Sequence, residues 1–210
     1  MKKILLFSLA IVAAATTFTG CKKGENDPFL SLKSRRGRLA GEWKLTSADV
    51  TSKTINSFGG STVTTTTVTK YDGTTETRTT TTAMSGSSST TTNTYRYTTE
   101  FSFNKDGSYK MVNVDNDNNG TYTEEGSWAF VGKSKNAELK NKEAIVLSET
   151  STNYSQGGNT STSNTTGFEA GQTLILDQLK NKEVVIKMNY TFSETGSSSE
   201  YSGTYVLTAK

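Results

Sequence analysis

The chain has no histidine, one cysteine and one proline in 210 residues. Each scarcity removes a class of chemistry. Without His there is no imidazole general base, no Ser-His-Asp or Cys-His nucleophile pair, and no ordinary zinc or copper site. The single Cys, Cys21, permits neither an intrachain disulfide nor a thiolate cluster. The single Pro, Pro28, leaves extended structure after it uninterrupted. Charge of one sign is also lacking: 23 Lys and Arg stand against 20 Asp and Glu, a net of +3. The electrostatic footprint of a nucleic-acid binder is therefore missing, and no nucleic-acid partner is expected. Aliphatic residues are few. Leu, Ile, Val and Phe number 31 after Gly20, close to the level at which a chain fails to build a core. Near-neutral charge and nine Tyr argue against full disorder. What the chain has in abundance is Thr, 38 in all, a β-branched residue that favours extension.

The first twenty residues read as an address. Lys2 and Lys3 precede a nearly unbroken apolar run from Ile4 to Ala15. That run is too short to span a bilayer as a permanent helix and has the form of a secretory signal. It ends Phe18-Thr19-Gly20-Cys21, which resembles the bacterial lipobox. The resemblance implies a signal peptide over residues 1–20, lipidation of Cys21, and a lipidated tether over 21–27. Three acyl chains at about 0.8 kcal/mol per buried methylene make such attachment effectively permanent. Lys22 follows the Cys where the best-known sorting rule places an inner-membrane Asp. The implied location is the outer membrane, lipid-anchored, with the body on its periplasmic or extracellular face.

The stretch from Asp27 to Leu39 predicts one short helix, with Asp27 as cap, Pro28 at the first helical position and basic residues toward the C-terminal end. Lys33, Arg35, Arg36 and Arg38 there either meet anionic headgroups near the anchor or form a solvated, dipole-matched helix end. From Gly41 the period switches to two. Val184, Ile186, Met188, Tyr190 and Phe192 alternate with polar residues, as do Tyr95, Tyr97, Thr99, Phe101 and Phe103, and Tyr122, Gly126, Trp128 and Phe130. This is one-face burial in an antiparallel sheet. Turns are read at Asn104 to Gly107, Asn116 to Gly120, Lys180 to Lys182 and Glu194 to Ser199. Residues 59–94 differ in kind: Tyr71-Asp72-Gly73-Thr74 reads as a turn between Thr-rich arms at 61–71 and 74–84. Neither face of these arms offers a core, so a protruding ribbon or loop is expected. Residues 150–172 read as a second polar excursion.

The order of these features resembles lipocalin-like lipoproteins of diderm bacteria. The residues that carry it are Cys21 with its charged tether, the G-x-W of Gly41-Glu42-Trp43, the "FNKDGSY" hairpin, a second Gly126-Ser127-Trp128, and the closing "GTYVLTAK". The resemblance covers residues 28–210, with 59–94 as a Thr-rich insertion. It implies an all-β, antiparallel up-and-down barrel of about eight strands with a short N-terminal helix and a protruding Thr-rich β-hairpin. It also implies that Trp43 closes one end of the barrel. The Arg that the family places on this Trp has no counterpart near the C-terminus, and Arg36 or Arg38 from the helix is the substitute on offer.

Three candidate sites follow. Tyr95, Tyr97, Phe101, Phe103, Tyr109, Trp128, Phe130, Met188, Tyr190 and Phe192 are the pool for a cavity lining. They either line a site for a small apolar or amphipathic ligand or fill the core. Asp115, Asp117 and Asn119, with Gly120, match the first half of a calcium loop, but Gly126 stands where the twelfth position needs Glu; the other reading is a polar hairpin turn. Glu124 and Glu125 are adjacent and point to opposite faces of a strand, so they are no catalytic pair. No acid–base constellation is found and no cofactor is implied, so the expected function is non-catalytic. The expected partners are the membrane, through Cys21, and a small hydrophobic ligand. The alternative is a surface structural, adhesive or glycan-binding module acting through the Thr-rich ribbon.

Overall fold

The computed structural model describes residues 33–131, 143–165 and 171–210. The signal, Cys21, the tether and Pro28 lie outside them. A helix α1 (Arg35–Leu39) leads into eleven strands: β1 (Gly41–Phe58), β2 (Ser61–Tyr71), β3 (Thr75–Met84), β4 (Ser87–Phe103), β5 (Ser108–Asp115), β6 (Gly120–Val131), β7 (Glu143–Gln156), β8 (Asn159–Asn164), β9 (Gln172–Leu179), β10 (Glu183–Glu194) and β11 (Ser197–Ala209). All pair antiparallel in chain order. The β1–β11 and β6–β7 ladders close the sheet into a ring of ten strands, and β8 is an extra strand on β7.

The expected eight strands are thus exceeded, and the reason is visible at a fork. Gly41–Lys44 of β1 pair directly with Phe103–Glu100 of β4. Around that end the ring has eight strands. From Ala48 onward β1 pairs instead with β2, while β4 below Arg96 pairs with β3. The Thr-rich hairpin therefore does not protrude as a separate ribbon. It widens the wall, held on both edges, and its turn points down into the fork. Thr arms whose core-facing residues are confined to Tyr71 and Glu76 beside the turn find their stability in ladders on two sides, which sequence alternation does not reveal. The polar excursion after Thr150 behaves similarly. It pairs as the end of β7 with β8, turning at Gly157-Gly158 with positive φ at both residues.

Register assigns the faces. Trp43, Leu45, Ala48 and Val50 of β1 point inward and are buried. Every aromatic side chain of the described strands shares that inward face, including all nine Tyr. The closed end is packed solid with Leu39, Trp43, Phe103, Tyr109, Trp128, Ile145, Leu176, Leu179, Val184 and Leu207. α1 covers this floor. Its N-cap is Ser34, whose Oγ accepts the Gly37 N–H at 3.0 Å. Ser34 itself is extended and α1 begins after it; the helix start predicted at Asp27 and Pro28 lies outside the described residues. Trp43 donates its indole N–H to the Leu39 carbonyl at 2.7 Å, tying floor to lid. Of the arginines of α1, Arg36 stacks over Trp128 at 5.3 Å, Arg35 lies over Phe130 at 4.4 Å and pairs with Glu143, and Arg38 is buried.

Gly126 sits where the β6–β7 register shifts between Glu125 and Gly126. A Cβ there would stand 2.1 Å from the Ser148 carbonyl oxygen and 2.8 Å from the Tyr109 ring. In an ordinary strand Gly→Ala gains about 0.5–1 kcal/mol. Here the sign reverses. Gly126→Ala is expected to cost about 1–3 kcal/mol and to lower Tm by about 2–4 °C per kcal/mol. Thermal unfolding by circular dichroism checks this, and an unchanged or raised Tm contradicts the assigned register.

Candidate functional site

Above the floor the ring is not filled. Two cavities open side by side on the inward face. The first, of about 440 Å³, is lined by Leu45, Thr99, Phe101, Met111, Glu124, Leu147, Leu174, Ile186, Met188, Tyr190, Tyr201 and Tyr205, among others. The second, of about 530 Å³, is lined by Ala48, Val50, Ser52, Thr67, Thr69, Glu76, Arg78, Thr80 and Tyr97. Leu45, Tyr201 and Tyr205 belong to both. The two phenols meet at 2.5 Å and form the partition between an apolar lobe and a polar lobe.

The predicted lining divides by depth. Phe101, Met188 and Tyr190 line the apolar lobe and Tyr97 the polar one. Phe103, Tyr109 and Trp128 instead belong to the floor, buried to 3%, 2% and 3% exposure. Phe130 packs against that core under Arg35. Tyr95 and Phe192 stand exposed at the rim. Alternation fixes the face a residue takes, not how far from the closed end it lies. Trp43 is 2% exposed, in the floor and away from both lobes.

Two clusters around inward-facing acids, Glu76 buried and Glu124 half-buried, were not anticipated. Glu76, on the first inward position of β3, accepts from the Tyr97 phenol at 2.6 Å and from Arg78 at 2.7 Å. Tyr71 stacks on Tyr97 with ring centres 4.8 Å apart and donates to the Tyr97 carbonyl at 3.0 Å. Glu124, inward on β6, accepts from Tyr109 at 2.5 Å and from Tyr122 at 3.5 Å. The signal for both was in the sequence: each acid is in phase with inward aromatics or with Arg78. Glu125 faces outward and pairs with Lys110 at 2.9 Å. These environments hold the phenols neutral. Burial first, then Asp72 and Glu76, push Tyr71 up to about 12. Burial and the bond to Glu76 raise Tyr97 further, burial and Glu124 raise Tyr109, and burial and Tyr201 raise Tyr205.

The segment Asp115 to Gly120 forms a hydrogen-bonded polar turn. Asp115 accepts from the backbone of Asp117 and Asn118 at 2.9 and 3.0 Å and from the Asn118 side chain at 2.8 Å. Asp117 is taken by the Arg96 backbone and guanidinium at 2.8 and 2.7 Å. These bonds hold both carboxyls below the usual range. Asn119 takes φ 52° to complete the turn. No group of metal-binding side chains occurs among the described residues.

The outer wall is built for water. Lys110–Glu125, Lys187–Asp177 and Lys210–Glu100 pair across it at 2.9, 3.0 and 2.8 Å. Thr79–Thr92 and Thr81–Thr90 bond at 3.2 and 3.0 Å. A lipid-facing wall has the opposite pattern, apolar outside with aromatic girdles, and each charge on it costs about 2–4 kcal/mol at mid-bilayer.

No protein-family model matches the chain, and no curated protein does. Among solved structures the chain is similar to the translocator domain of the autotransporter NalP from Neisseria meningitidis, at 11% identity and a TM-score of 0.27, over 81% of this chain and 89% of that one.

The raised phenols set an alkaline limit. A group whose folded pKa lies above its unfolded value of about 10 stabilises fully below that pH and loses the effect as pH rises toward the folded value. Stability is therefore expected to fall from about pH 10 upward. Titration followed by tyrosinate absorbance should show an early exposed fraction, then Tyr71, Tyr97, Tyr109 and Tyr205 ionising together with unfolding. Nine phenols ionising as one class in a protein still folded would contradict these contacts.

Proposed function

We propose that the chain is a non-catalytic, lipocalin-like barrel, lipid-anchored through Cys21 at the outer membrane, that holds a small apolar or amphipathic ligand. The observation that carries this reading is the two-lobed interior, about 440 and 530 Å³, open above a packed floor. Pockets of this size suit a small organic molecule. The apolar lobe offers Leu, Ile, Met and Tyr surface to a hydrocarbon or ring body, and the polar lobe offers Thr hydroxyls, Glu76 and Arg78 to a head group. G-x-W at Gly41 to Trp43, with Trp43 in the floor, supports the lipocalin-like assignment. Gly20-Cys21 supports the anchor. The inward carboxylates Glu76, Glu124 and Glu143 are held by phenols, Arg78 and Arg35 rather than by one another, which supports a binding role over acid–base catalysis. Native mass spectrometry of protein purified from membranes tests both parts. The expected species carries acyl mass on the peptide containing Cys21 and additional, releasable mass from a bound small molecule. An unmodified Cys21 removes the anchor. A clean ligand-free mass, together with no rise in Tm across lipid and sterol libraries, removes the carrier.

A second reading rests on the free edge of β4. Above the turn at Asn116, whose N–H bonds the Arg96 carbonyl at 2.8 Å, residues Ser87 to Thr94 pair with β3 alone. The backbone groups of Ser88, Thr90, Thr92 and Thr94 alternate in phase with Arg96 and face outward along this edge. The segment has no charge and no Pro, the usual guards of an exposed edge. It would add an extended segment of a partner. Deleting residues 61–84 would remove two wall strands, so the apt test is Thr92→Pro. Pro at an outward-facing edge position spares the β3 ladder. The expected result is lost cell-surface attachment with Tm held, and attachment that survives rejects the edge.

A further inference from the structure

We infer that the ligand of the apolar lobe carries a positive charge, and that Glu124 is the residue that receives it. The inference rests on the carrier reading and narrows it to an organic cation with an apolar body.

The argument is one of charge inside a closed wall. Along the inward face of the described strands, Arg78 is the one cation, and Glu76 already neutralises it at 2.7 Å. Glu124 and Glu149 also face inward. Their hydrogen bonds come from hydroxyls: Tyr109 at 2.5 Å and Tyr122 at 3.5 Å for Glu124, and Thr165 at 3.4 Å for Glu149. None brings a compensating charge. On the outer face Lys110 pairs with Glu125 and Lys187 with Asp177. Among the residues that line the apolar lobe Glu124 is the one charged group, so the lobe carries a single negative charge.

The company Glu124 keeps gives the ligand's chemistry. The same cavity presents Phe101, Tyr190, Tyr201 and Tyr205 beside it. Tyr190 and Tyr201 are stacked, ring centres 4.9 Å apart. Aromatic faces attract a cation through their quadrupole, most strongly when it sheds water, and a carboxylate fixed by a phenol supplies the opposite charge. An anionic head, such as a fatty acid's, would meet Glu124 with like charge. A neutral alcohol would gain neither attraction.

The test uses the full chain in lipid nanodiscs, with empty nanodiscs as the blank. The probes are three six-carbon ligands: hexyltrimethylammonium, hexanol and hexanoate. Calorimetry is expected to give the ammonium an affinity about tenfold above hexanol, with hexanoate weakest. Glu124→Gln should bring the ammonium down to the hexanol level while leaving hexanol within about twofold. Glu124→Asp, which keeps the charge, should retain the preference, and circular dichroism should find both variants folded. Three results overturn the inference while the carrier stands: hexanol binding as well as the ammonium, hexanoate binding best, or E124D and E124Q losing the preference alike. If none of the three probes binds the wild type, the carrier reading falls, and this inference with it.

Discussion

The seating of one turn governs the shape of the interior. Asp72-Gly73-Thr74 is lodged where β1 and β4 part. Asp72 caps it by accepting from the backbones of Thr74 and Thr75 at 3.0 and 2.8 Å. Gly73, at φ 100°, lies so close to Thr46 that a Cβ would stand 3.2 Å from its carbonyl oxygen. Tyr71 and Glu76, on either side of the turn, grip Tyr97 by stacking and by a phenol bond. Were the turn not held, β1 and β4 would be free to continue the ladder they begin at Gly41–Lys44. With it held, the ring grows from eight strands to ten. A wider ring encloses more volume, and the 31 Leu, Ile, Val and Phe residues that follow Gly20 do not suffice to fill it. The openness of the barrel thus follows from a polar wedge and a shortage of aliphatic side chains acting together.

Tyrosine bridges that shortage. It brings a large apolar ring to the wall, and its hydroxyl needs a partner once buried. The partners are present in each case: Glu76 for Tyr97, Glu124 for Tyr109, and Tyr205 for Tyr201. Where Leu would demand a close-packed neighbour, Tyr tolerates a wet one. That allows the inner surface to be ring-lined without collapsing. It also explains why acids occur on the inward face: they are acceptors for phenols before they are anything else.

The fold class was legible because period two is a strong signal where ring-bearing and polar residues alternate. The turn at Tyr71 to Thr74 and the limits of its two arms were legible from Asp-Gly between Thr runs. What those arms pair with was not. Thr at most positions gives inward and outward faces of the arms nearly the same chemistry, so little in them specifies an edge or a partner. Ser34 is a second good cap beside Asp27, and its extended backbone is what starts α1 at Arg35. Asp115 to Gly120 admits two readings from sequence because an Asx turn and a calcium loop draw on the same carboxylates and amides. Depth along a strand was invisible too, and that is why Phe103 and Trp128 belong to the floor while Phe192 stands at the rim.

Depth, once visible, shows an ordering that ties wall to site. Reading inward positions along β1 from the closed end gives Trp43, Leu45, Ala48, Val50, Ser52, Thr54 and Asn56. The paired β11 gives Leu207, Tyr205, Gly203, Tyr201, Ser199 and Ser197. Apolar surface is concentrated where the floor covers it, aromatic surface in the middle, and hydroxyls at the open end, where Thr54 and Ser199 bond at 3.1 Å. A hydroxyl surface can stand open to water without the free-energy cost of an uncovered apolar one. The upper wall therefore needs no filling to be stable, and the drive to cover apolar surface is confined to the middle of the barrel. That is where Phe101, Met188 and the stacked Tyr190–Tyr201 pair remain uncovered, and where a ligand's apolar body would do for this chain what Leu and Ile do in a barrel with a full core.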